Sequence, residues 1–181
     1  MFSTVDTIVA IATPPGRGGL GVVRLSGADA FRIARHLVGR QSAFKPRQAT
    51  FCRLTASLVS EVRDEVVVTA FPAPRSYTGE DVAEISAHGS PVVLAGILKG
   101  AMAAGARLAE PGEFTLRGFL HGKRDLIQAE AVGDLIDAVT PLQARAAFDQ
   151  LEGTLTSAIA AIETELFDLV ARLEASLDFP D

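Results

Sequence analysis

Near Gly118 the chain changes its hydrophobic period, and that change limits the folds open to it. Upstream, short β-branched and apolar runs recur between proline and glycine clusters, as strands do. Thr7 to Ala12 and Leu20 to Leu25 read as two strands joined by PPGRGG, and Ser26 then caps a helix from Ala28 to Val38 that Gly39 closes. Phe51 to Leu54 and Glu65 to Phe71 read as further strands, the second stopped by Pro72 and Pro74. Val82 to Ala87 alternates, with Val82, Glu84 and Ser86 on one face and Ala83, Ile85 and Ala87 on the other. Ser90 and Pro91 start a helix that ends near Gly105, and a short strand is expected around Arg107. The pattern is α+β: a mixed five-stranded sheet with helices.

From Pro111 onward the strand signals stop. Pro111 suits a first helical turn, Asp125 with Gln128 predicts a capping box, and Thr140 with Pro141 and Gln143 predicts another. Phe148, Leu151, Leu155, Ile159, Ile162, Leu166, Leu169, Leu173 and Leu177 recur at steps of three and four, which predicts one long amphipathic helix of roughly 50 Å. The expected division is therefore residues 1–118 as an α+β domain and 119–181 as the opening helices of a second, all-α domain. Such a stripe needs a cover. Helices between Pro111 and Ala138 shield part of it, and the rest calls for further sequence or a second subunit.

A chain of 181 residues has room for one core plus an appendage. A net charge of −5 does not point to a polyanion binder. Cys52 is the only cysteine, which excludes an internal disulfide and any cysteine-rich metal site and fits a reducing, cytoplasmic setting. The N-terminus lacks a basic segment and carries Asp6 before a short apolar run, so it reads as a strand and not as a signal peptide. Val92 to Ala106 is too short to span a bilayer and contains Lys99, so no membrane role is expected.

Gly16 to Gly21 matches GxGxxG, but a dinucleotide fingerprint opens a helix and this one opens a strand. The same residues match GxxxxG, yet Val22 and Val23 stand where a phosphate-binding loop needs Lys and Ser or Thr. Arg24 and Glu84 each interrupt an apolar strand. They read either as solvent-facing residues or a mutual salt bridge, or as a guanidinium and a carboxylate held on rigid strands for a polar ligand. Lys123 and Arg124 form a charge cluster that is either solvated or able to swing a lysine over a ligand's carboxylate. His36, His88 and His121 lack metal-ligand spacing, and no nucleophile is tied to a base.

Three segments share a resemblance: DTIVAIATPPGRGGLGVVRLSG, SYTGEDVAEISAHGSPVV and AEPGEFTLRGFLHGKRDLIQAEAVGDLIDA. Together they resemble the MnmE family, also called TrmE, of tRNA uridine-modification GTPases. The likeness runs through ASLDFPD and is weakest between Gln41 and Glu61. It implies an N-terminal domain similar to tetrahydrofolate-binding domains, which forms a homodimer and binds a reduced folate such as 5-formyltetrahydrofolate. Arg24, Glu84 and Lys123 occupy the family's folate-binding positions. By that resemblance Glu84 would accept paired donors from a pterin, with Arg24 and Lys123 meeting anionic or carbonyl groups.

In the family a helical domain follows, interrupted by a G domain that hydrolyses GTP with Mg2+ and K+. With the FAD protein MnmG it installs a carboxymethylaminomethyl or aminomethyl group on the wobble uridine of tRNA, folate supplying the one-carbon unit. This sequence has no GxxxxGK[ST], so no GTPase activity is expected of it alone, and whether it is itself an enzyme stays open. Two rival readings remain: an assembly-only module, or an RNA-contacting piece using Lys45, Arg47, Arg75, Lys123 and Arg124.

Overall fold

The computed structural model describes residues 5–55 and 62–178. The expectations for the first four residues and for the last three of DFPD lie outside the described residues. The chain divides into two compact units, Met1–Lys123 and Arg124–Asp181. The expected boundary near Gly118 falls inside a helix of the first unit, so the division comes somewhat later in the chain.

In the first unit, the described residues form one six-stranded sheet: β1 (Ile8–Ile11), β2 (Gly18–Ser26), β3 (Thr50–Arg53), β4 (Glu65–Phe71), β5 (Val82–Gly89) and β6 (Arg107–Leu108), in the order β3-β4-β5-β2-β1-β6. The sheet is mixed, since β1 pairs in parallel with β6 and the other pairs are antiparallel. The sixth strand is the short one expected around Arg107, which makes the sheet one strand larger than the predicted five.

Helices α1 (Ala30–Leu37) and α2 (Pro91–Ala103) cover one face. Ile33, Leu37, Leu94 and Ile97 from them pack in one buried cluster with Val23, Leu25, Val68 and Ile85 from the strands. Each such side chain contributes about 1.5–3 kcal/mol on leaving water. Gly21 is needed here, because a Cβ at that position would lie 2.5 Å from Leu94 Cδ1. Part of the glycine-rich segment thus serves the approach of α2 to β2 and not a phosphate.

Ser26 does not cap α1. It remains in β2 with its hydroxyl buried and bonded elsewhere, and Asp29 takes the N-cap position without a side-chain cap bond. Thr7 instead accepts the Asp29 amide at 3.0 Å. α3 (Glu113–Leu120) closes the unit; its N-cap is Gly112, so Pro111 precedes the helix and does not lie in its first turn as expected.

The second unit contains α4 (Leu126–Asp137), α5 (Pro141–Leu151) and α6 (Thr154–Asp178) among the described residues. Both predicted capping boxes are present, Asp125 with Gln128 and Thr140 with Gln143. The single long helix expected after Pro141 is instead two, because Gly153 at φ 87° interrupts it. The Glu152 and Gly153 amides turn back to Phe148 and Gln150 and terminate α5. The apolar stripe lies mostly on α6, none of whose residues is buried. No helix among the described residues is long and apolar enough to cross a membrane.

Candidate functional site

The core-facing positions of β2 and β5 are Val23 and Leu25, and Ala83 and Ile85. Strand alternation therefore sends Arg24 and Glu84 to the opposite face, the one that α1 and α2 leave open. The antiparallel register sets the two residues directly across from each other. Arg24 donates from Nε to Glu84 Oε1 at 2.8 Å, and its Nη2 forms the ion pair with the same oxygen at 2.7 Å. Each side chain keeps about a quarter of its surface in water, 25% and 27%.

Two rings border the pair. The Arg24 guanidinium carbon lies 4.9 Å from the centre of the Tyr77 ring and 5.8 Å from that of Phe114, within the range of cation–π attraction. Tyr77 belongs to the loop between β4 and β5, and its hydroxyl meets Thr115 Oγ1 on α3 at 3.1 Å. Lys123 sits against the same loop: its amide donates to the Gly118 carbonyl at 2.8 Å, and a Cβ on Gly79 would lie 3.3 Å from its Cγ. The structure thus joins Arg24 and Glu84 directly and leaves Lys123 exposed on the neighbouring loop contact.

Behind the loop is a buried charge cluster. Arg117 on α3 is 1% exposed. Its Nη1 donates to the Asp6 carbonyl at 2.8 Å and to Glu80 Oε1 at 3.1 Å, and its Nη2 donates to Asp6 Oδ1 at 2.6 Å and Glu113 Oε1 at 3.0 Å. Burial disfavours the Arg117 charge, but the bonds to Asp6 and Glu113 outweigh it and raise its pKa. Burial likewise disfavours the Glu113 carboxylate, and the hydrogen bonds from Arg107, the Glu110 amide and Arg117 more than offset this, so its pKa falls. Asp6 is lowered mainly by its hydrogen bond from Arg107, with Arg117 adding to it against a burial penalty.

No described group of three or more His, Cys, Asp or Glu side chains is arranged to hold a metal. His88 pairs with Asp64 at 2.6 Å, and His121 Nδ1 lies 2.8 Å from the Thr78 carbonyl. A cavity of about 550 Å³ at the β3–β4 edge is lined by Arg53, Leu54, Arg63, Asp64 and Glu65, and it contains none of the three predicted residues.

Residues 7–123 match the family described as GTP-binding protein TrmE N-terminus, and residues 126–181 match the MnmE helical domain. The chain belongs to the MnmE family. It is 53% identical over 98% of its length to tRNA modification GTPase MnmE of Legionella pneumophila (strain Corby), covering 40% of that protein. It is 50% identical to the proteins of the same description from Koribacter versatilis and Aromatoleum aromaticum, over 97% and 99% of this chain and 39% of each relative. The chain therefore spans about two-fifths of the length of the curated MnmE relatives it matches.

Tyr77, Phe114, Glu80 and Arg117 were not singled out by sequence reasoning. Glu113 and Arg117 stand four residues apart on α3, a spacing that suggests an ion pair on any helix. Nothing in the spacing says that the pair is buried.

Proposed function

We propose that this chain is the reduced-folate-binding and homodimerising part of an MnmE protein. In this reading the first unit holds a folate such as 5-formyltetrahydrofolate at Arg24, Glu84 and Lys123. The intact protein, working in the cytoplasm with an MnmG partner, modifies the wobble uridine of tRNA. GTP, Mg2+ and K+ then act in sequence that this chain does not contain.

The observation that carries the reading is the Arg24–Glu84 pair on the open sheet face beneath two aromatic rings. A pterin is a flat heterocycle with an amino group and a ring N–H side by side, so it needs a carboxylate acceptor and a planar neighbour. Arg24 meets Glu84 at Oε1, and in this reading Oε2 accepts from such donors. Tyr77 and Phe114 offer ring faces nearby. Lys123, exposed beside Gly79, suits the anionic end of a folate as a mobile point charge.

Calorimetric titration of the whole chain with 5-formyltetrahydrofolate is the test. Saturable binding by a folded, dimeric chain is expected. A folded chain that takes up no folate would leave the assembly-only reading in its place.

A further inference from the structure

We propose that Arg117 is a positioning residue for the Arg24–Glu84 cleft: it clamps the 76–80 loop to α3 and so holds Tyr77 and Phe114 over Arg24. The ligand named in the test rests on the folate reading, whereas the positioning itself does not.

A buried ion cluster is weak evidence of stabilisation, because well-packed apolar side chains of similar volume often serve as well or better. What a buried guanidinium does supply is one geometry, since its planar fork is satisfied only by acceptors in set directions. Arg117 takes those acceptors from three separate stretches of chain: Asp6 before β1, Glu80 in the loop, and Glu113 on its own helix.

The loop transmits that geometry. Glu80, held by Arg117, also accepts from Ser26 Oγ at 2.6 Å. Ser26 in turn lies 2.6 Å from Thr78 Oγ1, and Thr78 is fully buried. His121, just past α3, meets the Thr78 carbonyl. Tyr77 is therefore carried between tethered neighbours on the loop, and its hydroxyl reaches Thr115 on α3. Phe114 follows Glu113 directly, so the helix that Arg117 anchors presents the second ring. Without the clamp, the loop keeps its contacts at Thr78 and Tyr77 but loses the ionic tie that fixes Glu80 against α3.

Tyr77 is the only tyrosine, and the chain has no tryptophan, so intrinsic tyrosine emission reports this loop alone. The experiment compares the whole wild-type chain with Arg117→Lys and Glu80→Gln, at a temperature where far-ultraviolet dichroism shows each folded. Lysine keeps the charge but lacks the fork. The expected result is greater acrylamide quenching of Tyr77 in both variants and about tenfold weaker binding of 5-formyltetrahydrofolate, or worse. Variants that melt earlier but keep wild-type quenching and affinity would reduce Arg117 to a purely structural residue and overturn the proposal. Raised quenching with unchanged affinity would overturn it equally. If Arg117→Lys fails to fold, Glu80→Gln decides, because it loosens the loop while leaving Arg117 with Asp6 and Glu113. Should the wild-type chain bind no folate, the functional reading falls, and the quenching comparison still decides whether Arg117 sets the loop.

Discussion

Glu84 lies on a strand that is otherwise apolar at its buried positions, and its partner across the register is a guanidinium that also lies against the Tyr77 and Phe114 rings. Removing the carboxylate should therefore harm ligand binding more than folding. Glu84→Ala is predicted to weaken 5-formyltetrahydrofolate binding by roughly 1.5–3 kcal/mol, the scale of a hydrogen bond to a charged group. Arg24 is partly in water, so the loss of fold stability should stay within about 1 kcal/mol. Titration and thermal melting of the same variant separate the two effects, and normal affinity would remove Glu84 from the site. Asp6 and Glu113 give a second prediction, since both carboxylates have folded-state pKa values below their ordinary 3.8 and 4.5. Their contribution is complete above those ordinary values and is lost as pH falls through the lower folded ones. The urea midpoint read from Tyr77 should hold steady near neutrality and drop in acid, and Glu113→Gln should flatten that drop. An unchanged acid slope in the variant would show that Glu113 is not a source of it. That Arg24 and Glu84 leave the apolar core was legible because a cation and a carboxylate are out of place among valines and leucines. Arg117 was not, because sequence does not say which charged residue of a helix faces inward.

At the level of elements, local chemistry was readable wherever the determinant was itself local. Both capping boxes form because a side-chain oxygen and an amide three residues later meet within one turn. Ser26 was misread because its hydroxyl is claimed by the distant Thr78 and Glu80, partners that only the folded sheet brings near. The break between α5 and α6 was missed for another reason: steps of three and four continue straight across Gly153, and periodicity is blind to one left-handed residue. Gly153→Ala tests the assignment. At φ 87° an L-residue costs about 1–2 kcal/mol. The added Cβ would also lie 3.2 Å from Gln128 Nε2, which donates to the Leu151 carbonyl. Thermal melting followed by helical dichroism should show the second unit destabilised by that amount. A variant equally or more stable, with increased helicity, would mean that the chain readily runs α5 into α6 as one helix.

The strand signals of the sequence lie in the first compact unit and the second unit is helical in its described residues, but no pattern in one sequence says what lies against an apolar face. On α6, Ile162, Leu166, Leu169 and Leu173 are each more than half exposed, at 60, 54, 54 and 55%. A helix of 25 residues carries enough backbone bonds to persist in part, yet most helical stability in proteins comes from packing an apolar face. Covering each of those side chains would yield about 1.5–3 kcal/mol at full burial. At rising concentration the chain should therefore assemble through this stripe, and α6 should gain protection against amide hydrogen exchange as it does. Leu166→Glu with Leu173→Glu places two charges on the stripe and leaves the first unit untouched, so Tyr77 emission should not change. Sedimentation velocity then divides the sources of association. Species beyond a dimer should vanish in the double variant, while the dimer that the proposed function assigns to the first unit should survive. A wild-type chain that stays monomeric at every concentration, with α6 amides already protected, would mean that the stripe is covered within a single chain.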